Sequence, residues 1–285
     1  MGKSFDFDVT KTLFIPDLDG TLVGKGAEFP ENLDIPKRIN ALSDRGIRLT
    51  YATARTIQTV RDILAGITFT APVALMNGVV IRDMDKGEYI NAEYMTEAAV
   101  ISLLTEMKKH GLIPFIYALR DGELSTSHID GLNPYMTDFM EHRIRKYNKP
   151  FTRLDRIEDA VRGDRSVIYV VMMDSHDKLL PVKELVDSNP VLNCAFYKDS
   201  YETDIWYLEI FSAAASKGAA VQRIKEISGA ETLVVFGDNR NDLPMFAASD
   251  FACAVSNAPD EVKDASDLVI GSVDLGGVVE FLEKL

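Results

Sequence analysis

The chain contains little cysteine. Among its 285 residues only Cys194 and Cys253 are present, and they form neither a CxxC motif nor a paired framework. Small secreted folds that depend on several disulfides are therefore excluded. A reducing, cytoplasmic location fits this composition best.

Long apolar runs are absent as well. The longest strongly apolar stretch, residues 167–173, is far shorter than the ~20 residues of a membrane-spanning helix. The first ten residues contain Asp6 and Asp8 but no apolar region, which argues against a signal peptide. We therefore expect neither a cleaved leader nor a membrane partner.

Positive charge is scarce relative to negative charge. Lysine and arginine number 31 against 44 aspartates and glutamates, which gives a formal net charge of −13. Such a chain repels polyanions on average, which argues against a nucleic-acid partner. A small phosphorylated substrate is repelled too, unless a metal ion and a few cationic side chains neutralise it locally.

Strand-like and helix-like patterns alternate near both ends of the chain. Strand-like segments fall at residues 13–15, 48–52, 73–76, 232–236, 251–255 and 268–270, and helical spacing of apolar residues falls at 35–42, 56–65 and 217–227. This alternation predicts an α/β fold in which a Rossmann-like parallel sheet carries helices on both faces.

The middle of the chain has a different sequence pattern. Helical patterns at residues 97–109 and 179–186 are mixed with strand-like runs at 112–118, 167–173 and 192–197. We interpret this part as an inserted α+β domain. The expected core is then residues 1–82 with 209–285, and the expected insert is residues 83–208.

The first segment that carries chemistry is DLDGTL, residues 17–22, directly after an apolar strand. Ligands of open α/β sheets bind beyond the carboxyl ends of the strands. Residues two apart on an extended chain point the same way, so Asp17 and Asp19 face one pocket. Two converging carboxylates repel each other unless a cation lies between them, which predicts a hard, oxygen-bound metal such as Mg²⁺.

An ordinary turn and a calcium loop are the alternatives for this segment. An EF-hand needs Asp or Asn at its fifth position and Glu at its twelfth. The twelfth residue here is Glu28, but the fifth is Thr21. The EF-hand pattern therefore fails, whereas the simple turn stays open on this segment alone.

A second acidic cluster, GDNRND at residues 237–242, follows the strand-like segment 232–236. Asp238 is placed to bind a metal, and Asp242 lies one helical turn further on the same face. An N-cap is the simpler explanation, because Asp and Asn are common at helix starts. One cap needs one such residue, however, and this loop offers four.

Two further elements suit an anionic ligand. Thr53 follows the segment 48–52 and precedes Arg55, and its hydroxyl is placed either to bind a phosphoryl oxygen or to cap a helix. Lys217 follows Ser216 at a helix start, where a cation opposes the helix macrodipole. That position suggests a nearby anion, although exposed lysines are usually only solvated.

Taken in chain order, four segments resemble the motifs of the haloacid dehalogenase superfamily. They are DLDGTL at 17–22, TAR at 53–55, SKG at 216–218 and GDNRND at 237–242. The insert between the second and third resembles a type 2 cap, the domain that selects the substrate. NG at 77–78 and LEI at 208–210 resemble the Cof-type sugar-phosphate phosphatases, whose usual TGR is TAR here, with Thr53 retained.

The resemblance implies a magnesium-dependent phosphatase of small phosphorylated metabolites. Sugar phosphates are the expected class, and nucleotide, flavin-precursor and pyridoxal phosphates are the alternatives. Asp17 is then the nucleophile that forms an aspartyl-phosphate intermediate. Asp19 serves as general acid and base, which favours phosphate-ester over carbon–halide chemistry. Thr53 and Lys217 bind the phosphoryl oxygens.

The resemblance also implies the metal ligands and the substrate contacts. Mg²⁺ is held by the Asp17 carboxylate, the Asp19 backbone carbonyl and Asp238. Asp242 either supports this metal shell or orients Lys217, and Asn241 supports the shell. Further candidates for substrate binding are Arg55 and Asn77 in the core and His128 in the polar segment 119–135. A solvated loop or a local hydrogen bond is the simpler explanation for each of these three.

Two other functions remain open from the sequence. A phosphomutase of hexose phosphates would use the same aspartates and return the phosphoryl group to the sugar. An inactive sugar-phosphate sensor would keep the fold, although four intact motifs argue against it. The expected oligomeric state is a monomer or a weak homo-oligomer.

Overall fold

A computed structural model describes residues 7–24, 26–161, 166–199 and 204–285. The chain divides into two compact units, one formed by the residues up to Asn91 together with Ser216–Leu285 and the other by Ala92–Ala215. The boundaries expected at 82/83 and 208/209 lie earlier in the chain than these. Most of the strand Glu88–Ala92 still belongs to the first unit, and the strand Ile205–Ser212 belongs wholly to the second. None of the described helices is long and apolar enough to cross a membrane.

Fourteen strands and nine α-helices lie within the described ranges. The strands are β1 (Thr12–Pro16), β2 (Arg48–Leu49), β3 (Val73–Leu75), β4 (Val80–Asp83), β5 (Glu88–Ala92), β6 (Phe115–Arg120), β7 (Glu123–His128), β8 (Thr152–Arg153), β9 (Ser166–Ser175), β10 (Leu192–Lys198), β11 (Ile205–Ser212), β12 (Thr232–Gly237), β13 (Phe251–Val255) and β14 (Leu268–Ile270). The helices are α1 (Ile35–Asp44), α2 (Ile57–Val60), α3 (Glu97–Lys109), α4 (Pro134–Tyr147), α5 (His176–Asp187), α6 (Lys217–Ser228), α7 (Leu243–Ala248), α8 (Asp260–Asp264) and α9 (Gly277–Glu283).

The first unit is built on a parallel five-stranded sheet in the order β14-β13-β12-β1-β2. Alternate residues of β1 serve opposite faces. Leu13 and Ile15 share a buried cluster with residues of α6 and α7. Phe14 packs beside Phe236, whose ring lies 5.6 Å from that of Phe281 in α9. The predicted parallel sheet with helices on both faces is confirmed.

The strand predicted over residues 48–52 is longer than β2, which ends at Leu49. Beyond Leu49 the chain nevertheless stays beside β1, because the Thr50 and Ala52 amides donate to the Phe14 and Pro16 carbonyls at 3.0 Å each. Ala52 also bridges Ala74 of β3 in parallel. β3 continues into the antiparallel order β3-β4-β5.

The helix predicted over residues 56–65 is wrong in its extent. Only Ile57–Val60 is helical, and residues 61–66 form turns. The Thr59 hydroxyl donates to the Thr56 carbonyl at 3.0 Å. Threonine hydroxyls that bond to the backbone in this way compete with the helical hydrogen-bond ladder, which explains part of the difference.

The second unit contains a six-stranded sheet in the order β10-β11-β9-β6-β7-β8, mostly antiparallel. Ile116, Val170 and Leu208 lie on one face and share a buried cluster with residues of α3 and α5. The opposite face is more polar, and the Tyr117 and Tyr169 rings meet edge to face there. The predicted inserted α+β domain is confirmed.

Candidate active site

The carboxyl ends of β1 and β12 lie side by side. The parallel pairing ends at Pro16 opposite Phe236, and the Asp17 amide donates to the Phe236 carbonyl at 2.8 Å. Asp17 and Asp238, which follow these strands, are thereby brought to the same edge of the sheet. The Asp17 residue is only 5% exposed, so its carboxylate is placed where little water reaches it.

Lys217 joins the two acidic segments. Its Nζ donates to Asp17 Oδ1 at 2.5 Å and to Asp242 Oδ1 at 2.6 Å. All three residues are buried. Ser216 caps α6 by accepting a hydrogen bond from the Ala219 amide at 3.0 Å, which fixes the first turn that carries Lys217. A buried cation therefore lies between a carboxylate of each acidic segment.

Burial and charge act on this trio in opposite directions. Burial alone would lower the pKa of Lys217, but Asp17 and Asp242 raise it above its ordinary value, so the ammonium stays charged. Burial raises the pKa of Asp17 well above the usual aspartate range, and Asp242 adds to this while Lys217 opposes it. Each charge of this trio is therefore offset by a charge of opposite sign that it contacts.

Asp17, Asp238 and Asp242 form the acidic cluster, in which one carboxylate oxygen from each residue lies within 4.8 Å of the others. Burial, with a contribution from Asp242, raises the pKa of Asp238 to about 6. Three crowded carboxylates face a single ammonium, and all donors are hard oxygens. The arrangement fits a divalent cation of the Mg²⁺ type.

Gly20 leaves the space that Asp238 occupies. A Cβ at Gly20 would lie less than 2.5 Å from Asp238 Oδ2, and its φ of +88° also favours glycine. Thr21 donates its hydroxyl to Asp238 Oδ1 at 3.2 Å. The glycine and threonine of the DLDGTL segment thus hold the second acidic segment in place.

Asp19 lies at a more open position. Its side chain is 36% exposed, and both of its carboxylate oxygens accept hydrogen bonds from Arg55. Asp19 does not belong to the acidic cluster, although its charge contributes to raising the pKa of Asp17 and Asp238. The structure thus places Arg55 against Asp19.

Thr53 and Asn77 are tied to one another through the backbone. The buried Thr53 donates its amide to the Ala74 carbonyl at 2.9 Å, and the Asn77 amide donates to the Thr53 carbonyl at 3.0 Å. The Asn77 Oδ1 accepts a hydrogen bond from Asn241 Nδ2 at 3.3 Å. Asn241 therefore links the loop after β12 to the turn after β3.

His128 belongs to the second unit, at the end of β7. Its Nδ1 lies 3.1 Å from the Ile129 carbonyl, and its ring meets the Phe115 ring edge to face. These local contacts account for the position of His128, so the geometry within the unit gives no support to its predicted role in substrate binding.

Two contributions were missed from the sequence. The first is the Thr21 hydroxyl, which donates to Asp238, a contact that the sequence did not indicate. Asn257, just after β13, donates to the Gly20 carbonyl at 2.8 Å and accepts from the Val273 amide at 2.9 Å. The rule that pointed to Asp17 and Asp238 would also have pointed to Asn257, because it follows the carboxyl end of the next strand.

The sequence profile of the haloacid dehalogenase-like hydrolase family matches residues 14–282. The chain therefore belongs to this family, and the resemblance of its four motifs is confirmed. The 5-amino-6-(5-phospho-D-ribitylamino)uracil phosphatase YwtE of Bacillus subtilis is 27% identical over 94% of this chain and 96% of its own. The pyridoxal phosphate phosphatase YbhA of Escherichia coli is 23% identical over 96% and 98%. The prediction of a phosphoric monoester hydrolase is confirmed by the family and by these relatives.

Solved structures show the same fold over nearly the whole chain. TM0651 from Thermotoga maritima has a TM-score of 0.74 at 25% identity and covers 96% of this chain and 97% of its own. The HAD subclass IIB sugar phosphatase BT4131 has a TM-score of 0.72 at 20% identity, with 96% and 98% coverage. At 20% identity, the similarity to BT4131 shows a shared fold and nothing further.

Proposed function

We propose that this hydrolase is a magnesium-dependent phosphatase of small phosphorylated metabolites that works through an aspartyl phosphate on Asp17. The observation that carries the proposal is the buried Lys217, held between Asp17 and Asp242 at the carboxyl ends of the central strands. A cation bound directly to the attacking carboxylate is placed to receive the phosphoryl oxygens at the same point.

The reaction has two half-reactions. An Asp17 carboxylate oxygen attacks phosphorus, the bond to the leaving oxygen breaks, and Asp19 supplies the proton that this oxygen takes. A water molecule then attacks the same phosphorus, Asp19 accepts its proton, and the bond to Asp17 breaks to release inorganic phosphate. Thr53 and Lys217 bind the phosphoryl oxygens during both steps.

The proposed ligands of Mg²⁺ are the Asp17 carboxylate, the Asp19 backbone carbonyl and Asp238. When bound, the ion supplies positive charge against the phosphoryl oxygens. Asp242 has another part, because its Oδ1 accepts from Lys217 and its Oδ2 accepts from the Asp238 amide at 3.0 Å. With both oxygens engaged, Asp242 supports Lys217 and the loop rather than binding the metal directly.

Sugar phosphates are the proposed substrate class. The YwtE and YbhA relatives act on a ribitylamino-uracil phosphate and on pyridoxal phosphate, which are also small phosphorylated metabolites. Their diversity supports a broad screen rather than a single candidate.

The test is phosphate release from a panel of phosphorylated metabolites and p-nitrophenyl phosphate, with Mg²⁺ and with EDTA. We expect release that requires Mg²⁺ and is absent from the Asp17→Asn variant. An isomerised hexose phosphate without free phosphate would show a phosphomutase instead. A folded wild-type protein that hydrolyses no ester with Mg²⁺ would favour an inactive sensor.

A further inference from the structure

Arg55 forms a bidentate salt bridge with Asp19. Its Nε donates to Asp19 Oδ2 at 2.6 Å, and a terminal nitrogen donates to Asp19 Oδ1 at 2.7 Å. A guanidinium that engages both oxygens of a carboxylate fixes the plane and the direction of that carboxylate, which a single contact cannot do. The orientation of Asp19 is therefore set by Arg55.

The backbone of Arg55 is held by hydrogen bonds of both its amide and its carbonyl. The Arg55 amide donates to Thr53 Oγ1 at 3.2 Å, and the Met76 amide donates to the Arg55 carbonyl at 3.0 Å. Thr53 is in turn hydrogen-bonded to Ala74 of β3. Asp19, in contrast, lies on the turn after β1. The ion pair thus links a side chain in the loop after β1 to a backbone segment that is hydrogen-bonded to β3 and to the turn after it.

The pair lies at the edge of the site, where it is able to open. The Arg55 side chain is 21% exposed and the Asp19 side chain 36%. Ion pairs that reach solvent are held weakly, unlike the buried contacts of Lys217. A salt bridge of this kind orients the Asp19 carboxylate and still allows it to reach a leaving group.

We propose that Arg55 is the positioning residue of Asp19: it holds the Asp19 carboxylate in the orientation from which protons pass to the leaving oxygen and from the attacking water. The inference rests on the proposed function and adds a role for Arg55 that differs from direct substrate binding. Arg55 acts through Asp19, so its effect depends on how strongly a leaving group needs a proton.

Phenyl phosphate and p-nitrophenyl phosphate form a matched pair of probes. They have similar size, but phenolate is the more basic leaving group and needs the proton more. The value of kcat/KM reports the steps up to the first irreversible one, the transfer to Asp17. We expect Arg55→Gln to lower kcat/KM for phenyl phosphate by about 10- to 100-fold, the usual effect of a misplaced catalytic group. The loss for p-nitrophenyl phosphate should be several-fold smaller.

A double-mutant cycle distinguishes action through Asp19 from action on the substrate. Arg55→Gln should add little to the loss already caused by Asp19→Asn, because the oriented group is then absent. Independent, multiplying losses would overturn the inference, as would an equal loss on both substrates. If turnover of Asp19→Asn is undetectable, the ratio of the two substrates for Arg55→Gln alone decides.

Arg38 provides the matched control. It forms a similar two-pronged pair with Glu283, at 2.8 and 2.6 Å, between α1 and α9. Arg38→Gln should leave the ratio of the two substrates unchanged, and circular dichroism should show that each variant is folded. A folded wild-type protein that hydrolyses neither these esters nor any ester of the metabolite panel refutes the proposed function. An active wild type with a multiplicative cycle refutes the role of Arg55 alone.

Discussion

Two buried lysines show how differently the fold treats the same side chain. Lys217 contacts Asp17 and Asp242, which raise its pKa. Its ammonium group therefore stays charged although it is buried. Lys149 is equally buried, but its hydrogen bond is to the Tyr117 hydroxyl at 3.0 Å. Burial lowers the pKa of Lys149 to about 7. The first lysine has an ionic partner that offsets its burial, whereas the second does not within the described residues.

Lys149→Met should stabilise the protein at neutral pH. Methionine has a similar volume and removes the buried charge, although the Tyr117 hydroxyl loses its donor at a cost of about 1 kcal/mol. We expect a net gain of about 2 kcal/mol in the free energy of unfolding at about pH 7. Urea unfolding of the two proteins measures it.

The pH dependence of that gain follows from the lowered pKa. Between about pH 7 and the ordinary lysine value of 10.5, the unfolded chain holds a proton on Lys149 that the folded chain lacks. Wild-type stability from this group therefore rises with pH across the window, and the advantage of Lys149→Met shrinks. A variant that is less stable than wild type at neutral pH, or a gain that grows with pH, would contradict this account.

The sequence predicted the site residues whose chemistry depends on strand position, but few of the contacts between their side chains. Asp17 and Asp238 follow apolar strands, and the rule about carboxyl ends is enough to bring them together. The Arg55 contact with Asp19 depends on the rotamers of two residues in different loops, which no local pattern encodes. The sequence therefore offers Arg55 only as a substrate ligand, a solvated side chain or a local hydrogen-bond partner, and does not indicate Asp19 as its partner.

At the scale of elements, the turn after β3 and the start of α6 meet at Gly78. Its φ is +87°, and a Cβ there would lie within 2.5 Å of the Ser216 carbonyl oxygen, at the residue that caps α6. The backbone of Ser216 is not free to move, because the same turn carries Lys217. Close packing at this glycine is therefore part of how the site is held.

Gly78→Ala should cost about 3 kcal/mol or more in the free energy of unfolding, from overpacking added to strain, and should lower kcat/KM. Gly229→Ala is the matched control, because Gly229 also has a positive φ of +62° but nothing lies within 4 Å of its Cβ position. It should cost only about 1 kcal/mol and leave kcat/KM unchanged. Equal losses in the two variants would show that the contact with Ser216 does not matter.

Element boundaries were harder to predict than element types. The predicted strands 251–255 and 268–270 match β13, a buried strand, and β14, the edge strand of the same sheet, because each is a short apolar run. The predicted helix 56–65 shortened to α2, where two threonine hydroxyls bond locally. Competition of this kind depends on side-chain geometry, so apolar periodicity does not reveal it.

At the scale of the whole molecule, the acidic cluster lowers stability whenever no cation offsets it. Mg²⁺ should therefore raise the melting temperature in a saturable way, because it binds the folded chain and not the unfolded one. Differential scanning fluorimetry in EDTA and over a series of Mg²⁺ concentrations measures the effect.

Asp238→Asn should reverse both parts of that behaviour. In EDTA the variant should be more stable than wild type, because one repelling carboxylate is gone, and Mg²⁺ should no longer stabilise it. Asp44→Asn, at an exposed position in α1, should keep the wild-type response to Mg²⁺. A full Mg²⁺ response in Asp238→Asn would contradict the proposed metal site.

The most direct test of the central claim is to trap the phosphoryl group on the enzyme. Wild-type protein and Asp19→Asn, in which hydrolysis of the intermediate should be slowed, are mixed with p-nitrophenyl phosphate and Mg²⁺ and reduced with borohydride, which converts an aspartyl phosphate into homoserine. The account predicts homoserine at position 17 by tandem mass spectrometry, more of it in Asp19→Asn, and none in Asp17→Asn. Turnover without any modification of Asp17, or modification of another aspartate, would contradict it.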